Sequence, residues 1–265
     1  MKSLSGMTQR KHQGSLLSAK HNQPKKKTEK KRTSLSKWAL MYARKGLAVL
    51  PLHYPVNGVC SCKKDKCRSI GKHPIAKHGV NDATTDEDTI RIWWSKWPNA
   101  NIGIATGKKS KLIVIDIDPR HGGNESFQEL EEKYGVLPNT TRVQTGGNGT
   151  HLLFRYPESL EKVKSRPLQG FPGVDLVADG AYIVTVPSRH ASGKYYRFDK
   201  VNGTKPLLMS TITEEYITLI GKANNSQSKK LDLGQAIPEG QRNVKLTQIA
   251  GVFHSRGMNE DTLLD

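Results

Sequence analysis

Cysteine is scarce in this 265-residue chain: there are three, all between positions 60 and 67. Three clustered thiols build no disulfide framework, which excludes a small cross-linked secreted fold. No run of about 20 apolar residues occurs, which excludes a membrane-spanning helix. No secretory apolar segment follows the basic start, so a cytoplasmic, intracellular protein is expected. There is no internal repeat, so a solenoid is excluded. Acidic residues are few, 24 against 42 Lys and Arg, and the resulting formal charge of +18 calls for an acidic partner. A hydrophobic share of 35% is still enough for a real core.

Half of the charge is concentrated at the start. Residues 1–32 carry ten Lys or Arg against Glu29 alone, a net +9. Without aromatics or hydrophobic periodicity, residues 1–33 read as a disordered basic arm. A solubilising tail and a nucleic-acid-binding arm are equally open, and a localisation signal is a third reading.

The organisation beyond the arm is α+β. Leu35 to Lys45 has helical spacing, with Ser34 as N-cap and Gly46 as stop. Leu47 to Leu52 is a short strand, and residues 57–80 form a loop-like insertion rich in Cys, Lys, Gly and His. A helix is predicted over Asp86 to Trp97, capped by Thr85, with Trp93, Trp94 and Trp97 toward the core. Asn101–Thr106 and Leu112–Asp118 read as a hairpin around Gly107–Ser110. A helix follows over Ser126 to Tyr134. Thr141–Thr145 and His151–Tyr156 are strands flanking GGNG. Val174–Val177 and Ala181–Val186 are two more, turned by Asp179-Gly180, and Tyr195–Phe198 is a last short one. Residues 201–233 hold a helix (Thr211 to Ala223) and a polar linker. Helices at Gln241–His254 and from Asn259 open a further module over 234–265, expected to continue into a longer protein.

The segment LIVIDID, Leu112 to Asp118, carries the first chemistry. Side chains on a strand alternate faces, so Val114, Asp116 and Asp118 share one side. Two carboxylates there are costly in a core and well placed for divalent metal. Pro119, His121, Gly122 and Gly123 then break the strand, leaving the pair at an edge or cleft. Cys60, Cys62, Cys67 and His73 follow C-x-C-x4-C-x5-H, and three thiolates and an imidazole suit tetrahedral zinc. A closed protein shell makes such a site structural, and metal could supply folding energy to so polar a loop. His78 is an alternative fourth ligand. Lys63, Lys64, Lys66, Arg68 and Lys72 surround the site and could touch a template backbone or a triphosphate.

TGGNGTHLLFR, Thr145 to Arg155, contains G-x-G but is followed by a strand. The dinucleotide and Walker phosphate sites both need a helix N-terminus next, so neither applies. A glycine turn between strands can still present N–H groups to phosphate. His151 emerges from it as a candidate phosphate ligand, and Arg155 lies on the same face. In GVDLVADGAYIVTVPS, Asp175 starts a strand. Placed beside Asp116 and Asp118 it would complete a two-metal site. Asp179, before Gly180, reads as a turn residue. Ser188, Arg189, His190 and Lys194 follow and could contact triphosphate or primer.

D-I-D, TGGNGTH and GVDLVADGAYIVTVPS, in this order and spacing, resemble the three motifs of the archaeo-eukaryotic primase superfamily. The likeness is to the bifunctional DNA primase/polymerase (Prim-Pol) domain of plasmids, phages and bacteria. CSCKKDKCRSIGKHP resembles that group's zinc-bearing insertion, and DATTDEDTIRIWWSKWPNANIGIATG its stretch ahead of the first metal motif. The resemblance covers residues 36 to 200, and IPEGQRNVKLTQIAGVFHSRGM resembles the start of a primase C-terminal helical module. It implies a catalytic domain over 34–200, an N-terminal α/β unit plus an RRM-like sheet, with the zinc loop at 57–80. Asp116, Asp118 and Asp175 are then the ligands of two Mg²⁺ or Mn²⁺ ions, and His151 engages the nucleotide's phosphates. The family often has a small polar residue where this chain has Gly149, so its hydrogen bond is expected from Thr150 or the backbone. Gly149 and Thr150 accordingly stand as nucleotide contacts.

The implied activity is template-dependent nucleotidyl transfer, making or extending primers on single-stranded DNA from dNTP or NTP. A helicase module, in this or a separate chain, is the implied partner. Tyr182 is a candidate steric filter against a 2′-hydroxyl. The alternatives are a zinc-containing single-strand-binding module that recruits a helicase without polymerising, and a metal-dependent nuclease.

Overall fold

The computed structural model describes residues 34–199 and 206–226, with side chains through 221. The basic arm and the module expected over 234–265 lie outside the described residues. No helix among the described residues is long and apolar enough to cross a membrane.

Helix α1 (Leu35–Arg44) begins where the Ser34 hydroxyl accepts from the Lys37 N–H, and it buries Ala39, Tyr42 and Ala43. Strand β1 (Val49–Leu52) follows. A tight hairpin, β2 (Pro55–Val56) and β3 (Val59–Cys60), turns through Asn57 and Gly58, both at positive φ. This is the Asn-Gly turn whose backbone twist suits a two-residue hairpin. Helix α2 (Glu87–Lys96) is capped by Asp86, not by Thr85: the Asp86 carboxylate accepts from the Thr89 N–H at 2.8 Å. Ile90 and Trp94 are buried there, and Trp93 and Trp97 pack against the same core. Arg44 clamps Glu87 with two hydrogen bonds, 2.7 and 2.9 Å, tying α1 to α2.

The remaining elements are β4 (Asn101–Ala105), β5 (Leu112–Ile117), α3 (Gly123–Tyr134), β6 (Thr141–Gln144) and β7 (Thr150–Arg155). They continue with β8 (Arg166–Pro167), β9 (Val174–Val177), β10 (Tyr182–Val184), β11 (Arg197–Phe198), β12 (Ser210–Thr211) and α4 (Glu214–Ser226). Strands β1, β4 and β10 form a three-stranded antiparallel sheet. The larger sheet runs β11-β6-β7-β5-β9-β8, with β12 beside β7.

Two expected hairpins are therefore corrected. β4 and β5 lie in different sheets, and the chain crosses between them through a single bridge, Gly107 to Leu112. β9 and β10 part in the same way. β4 is buried along its whole length and so sits inside a sheet between β1 and β10. Pro51 is tolerated because β1 is an edge strand.

The larger sheet has two apolar faces. Ile113, Ile115, Ile117, Leu152, Phe154, Val174 and Leu176 point to a core that also holds Leu130 of α3 and Tyr216 and Ile220 of α4. Leu112, Val114, Val143 and Leu153 point to the other, shared with the small sheet, α1 and α2. Asp116 and Asp118 continue the Leu112–Val114 row, so this face changes from core to carboxylate partway along β5.

Asp179 fastens the crossings. Its carboxylate accepts from the Lys108 N–H at 2.9 Å, the Val163 N–H at 2.8 Å and the Tyr156 hydroxyl at 2.6 Å. Burial alone would raise its carboxyl, but these donors outweigh it and hold the carboxyl below the usual range. It is a structural hub as well as a turn residue. Asp179→Ala should cost about 2–3 kcal/mol of stability by denaturant titration at pH 7. Because the folded value is depressed, this difference is present above about pH 4 and fades as pH falls through the folded value. A cost below about 0.5 kcal/mol would rule the hub out.

Candidate active site

Strand register assembles the site. Antiparallel pairing sets Asp116 opposite His151 of β7 on one side and Asp175 of β9 on the other. Asp118 lies two residues further along the same face. Like charges directly opposite one another destabilise a sheet, so Asp116 beside Asp175 is a cost the fold carries. Burial first, then Asp116 and Asp118, push the Asp175 carboxyl up.

Asp118 sits at a junction only glycine permits. Its N–H donates to Gly173 O at 2.7 Å, and its carbonyl accepts from the Gly123 N–H at 3.0 Å. A Cβ on Gly123 would fall 2.5 Å from Gly173 O, and one on Gly173 would fall 2.7 Å from Gly123 N. These contacts pin the end of β5 against the start of β9. The Asp118 carboxylate accepts two bonds from the Arg120 guanidinium, 3.0 and 2.7 Å, one from the Arg120 N–H at 3.1 Å, and faces His121 Nδ1 at 3.1 Å. Arg120 above all holds its carboxyl well below the usual range.

His151 is buried, with Nε2 3.6 Å from Asp116 Oδ1 and Nδ1 without a partner among the described residues. Burial lowers its pKa, Asp116 opposes this, and Lys72 adds to the lowering. The imidazole is therefore neutral near pH 7. A buried, unpaired ring nitrogen costs free energy.

Asp116, Asp118 and His151 line a small polar cleft with Lys72, Arg120, Thr145, His190 and Tyr196; Asp175 is not in its lining and adjoins it through its pairing with Asp116. The TGGNGTH turn edges it, as expected for a strand-turn-strand. A Cβ on Gly149 would approach Ile117 O to 2.8 Å, so glycine lets the turn lie against the end of β5. Within the turn, the Thr145 Oγ1 accepts from the Gly149 N–H at 2.9 Å. Thr150 alternates to the opposite face from His151.

Other expected contacts lie elsewhere. Ser188 is fully buried, and its Oγ accepts from the Ile102 N–H at 2.8 Å, so it serves the small sheet. Arg155 is four residues along β7 from His151, about 13 Å at strand rise, paired opposite Leu112. Arg189 hydrogen-bonds the Tyr195 hydroxyl and lies over its ring. Lys194 bonds Asn148 at 3.0 Å, in a neighbouring groove with Tyr195 and Arg197. Tyr182 donates its hydroxyl to Lys72 O at 2.9 Å. Lys72 was expected only as one of five cations that could touch a triphosphate, and Arg120, Thr145 and Tyr196 were not singled out by sequence reasoning, although the Arg after D-I-D-P was a usable signal.

A profile of the family described as bifunctional DNA primase/polymerase, N-terminal (Prim-Pol), matches residues 39–208. The chain belongs to the Prim-Pol family. A DNA primase/polymerase role as a nucleotidyltransferase, with DNA and nucleotide substrates and divalent metal, goes with that membership. No curated protein matches the chain.

The Prim-Pol chain has a second candidate metal centre. The ligand atoms of Cys60, Cys62, Cys67 and His73 all lie within 4.8 Å of one another. His73 Nε2 is 3.3 Å from Cys60 Sγ and 3.5 Å from Cys67 Sγ. Tetrahedral zinc, with bonds of about 2.3 Å to sulfur and 2.0–2.1 Å to nitrogen, separates its ligands by about 3.5 Å. Burial, then Lys64, lowers the His73 pKa, keeping the ring in its ligating neutral form. His78 instead pairs with Asp82 at 2.9 Å. Elemental analysis should find one zinc per purified chain, lost in Cys67→Ser together with several degrees of Tm. A metal-free wild type with unchanged melting would exclude the site.

Proposed function

We propose that this domain catalyses template-directed nucleotidyl transfer to a primer 3′ end, or between two nucleotides at initiation. The supporting observation is the row His151–Asp116–Asp175 with Asp118 adjacent. Three carboxylates on one face at a sheet's end are unfavourable without cations and suited to them with cations. Asp116, Asp118 and Asp175 would hold two Mg²⁺ or Mn²⁺ ions. Bound there, such ions lower the pKa of the attacking hydroxyl and offset charge on the leaving pyrophosphate. The primer's 3′-oxygen forms a bond to the α-phosphorus as the α–β bridging bond breaks, and the hydroxyl proton passes to water. His151, whose Nε2 lies 3.6 Å from Asp116 Oδ1, would turn the single N–H of its neutral ring to a phosphate oxygen rather than to Asp116. The glycine turn at 145–149 lets the phosphates approach the backbone. Arg120, paired with Asp118 and exposed, is free to turn toward the triphosphate once a cation replaces it. The Cys3His set holds structural zinc.

A single-strand-binding module without polymerisation has no use for these carboxylates, which oppose a polyanion in a basic chain. A nuclease gives the phosphate-facing turn and His151 no role. Asp116→Ala with Asp118→Ala should reduce primer extension with Mn²⁺, single-stranded template and dNTP or NTP on the order of a thousandfold or more. Melting and template binding should stay near wild type. Extension at the wild-type rate by the double variant would sink the assignment.

A further inference from the structure

The zinc loop and the cleft meet at one residue. Of the five cations flanking the cysteines in sequence, only Lys72 lines the carboxylate cleft among the described residues; Lys63, Lys64, Lys66 and Arg68 do not. No ion pair engages the Lys72 ammonium among the described residues, whereas Arg120 already holds Asp118.

The backbone around Lys72 is fixed on both sides. Before it, Gly71 sits at φ +73°, where a Cβ would come within 2.9 Å of Pro55. Gly71 O accepts from Asn101 Nδ2 at 2.8 Å, and the same side-chain nitrogen donates to Arg189 O. At Lys72 itself, the N–H donates to Ser69 O at 3.1 Å and the carbonyl accepts from the Tyr182 hydroxyl. After it, His73 turns its ring to Cys60 and Cys67, and its carbonyl accepts from the His53 N–H at 2.9 Å. The chain thus passes from an anchor on β4 to a ligand of the Cys3His centre in two residues, with Lys72 between them.

We propose that Lys72 is a phosphate-binding residue for the incoming nucleotide and that metal in the Cys3His site acts on catalysis by holding it there, with Tyr182 as its positioning residue. This rests on the reading of the cleft as a nucleotide site. A lysine ammonium is a compact point charge on a flexible stem, and it binds phosphate productively when its base is fixed. The centre has no other route into the cleft among the described residues, since its remaining ligands belong to the β3 hairpin and the loop beyond it. The zinc loop is then part of the nucleotide site as well as a fold staple.

The test uses binding without turnover. A dNTP analogue with a non-cleavable α–β linkage is titrated with Mg²⁺ into the wild type, Lys72→Ala, Lys72→Arg and Tyr182→Phe, with zinc content measured for each. Lys72→Ala should retain its zinc and weaken binding about tenfold, the loss of one charge-assisted contact, and Lys72→Arg should restore most of it. Stripping zinc from the wild type should cost a similar factor and stripping it from Lys72→Ala nothing more. Tyr182→Phe, which keeps the loop and its metal, should weaken binding severalfold in the wild type and not in the Lys72→Ala background. Binding by Lys72→Ala within about twofold of wild type, or losses that multiply, overturns the proposal and leaves the nucleotide cleft standing. A wild type that binds no triphosphate overturns both.

Discussion

The candidate acidic row of this domain depends on the register of β5 between its two neighbours. Asp116 faces His151 across one ladder and Asp175 across the other, so one row of one sheet holds an imidazole and two carboxylates. A slip of one residue in either ladder would turn His151 or Asp175 to the opposite face. The apolar residues prevent that slip. Ile113, Ile115 and Ile117 are locked into the α3–α4 core, and Leu112 and Val114 into the core shared with the small sheet. Two hydrophobic cores on opposite faces of the same strand thus fix the position of a charge cluster that belongs to neither.

The division along that face explains why a cleft exists at all. On β5 and β7 the shared core runs as far as Val114 and Leu153, and on β6 it reaches Val143, directly opposite His151. Beyond Val114 on β5 the side chains become Asp116 and Asp118, whose carboxylates cannot be packed against apolar partners. The sheets therefore do not close there, and the space between them is lined by polar groups. The glycines sharpen the effect: Gly123, Gly149 and Gly173 each let backbone approach the end of β5 where any side chain would push it away. The polar cleft arises where apolar packing along β5 stops.

Much of this was legible from local pattern. Alternation put Asp116 and Asp118 on one face, the glycine turn followed by a strand excluded two phosphate-binding folds, and the cysteine spacing matched a ligand set that the structure brings together. What the pattern could not convey was pairing. β4 and β5 are adjacent in sequence with a turn between, which is how a hairpin reads, yet full burial sends them to different sheets. Ser188 read as a candidate triphosphate or primer contact because polarity alone does not reveal a buried backbone N–H waiting for it at Ile102. Asp179 carried a plain turn signal, Asp before Gly, that concealed three donors from distant segments. The Asn57-Gly58 hairpin was readable but was masked by the lysine-rich loop around it.

Lys72 shows the same limit from the functional side. In sequence it is one of five cations around the cysteines, and nothing local distinguishes it. Its distinction comes from two anchors 30 and 110 residues away, Asn101 on Gly71 and Tyr182 on Lys72 itself. Both belong to the small sheet, β4 and β10, which contributes no carboxylate to the cleft. That sheet instead carries the fixed wall against which the cysteine loop is set, while the larger sheet carries the acidic row. The two halves of the fold thus bring opposite charges to one cleft.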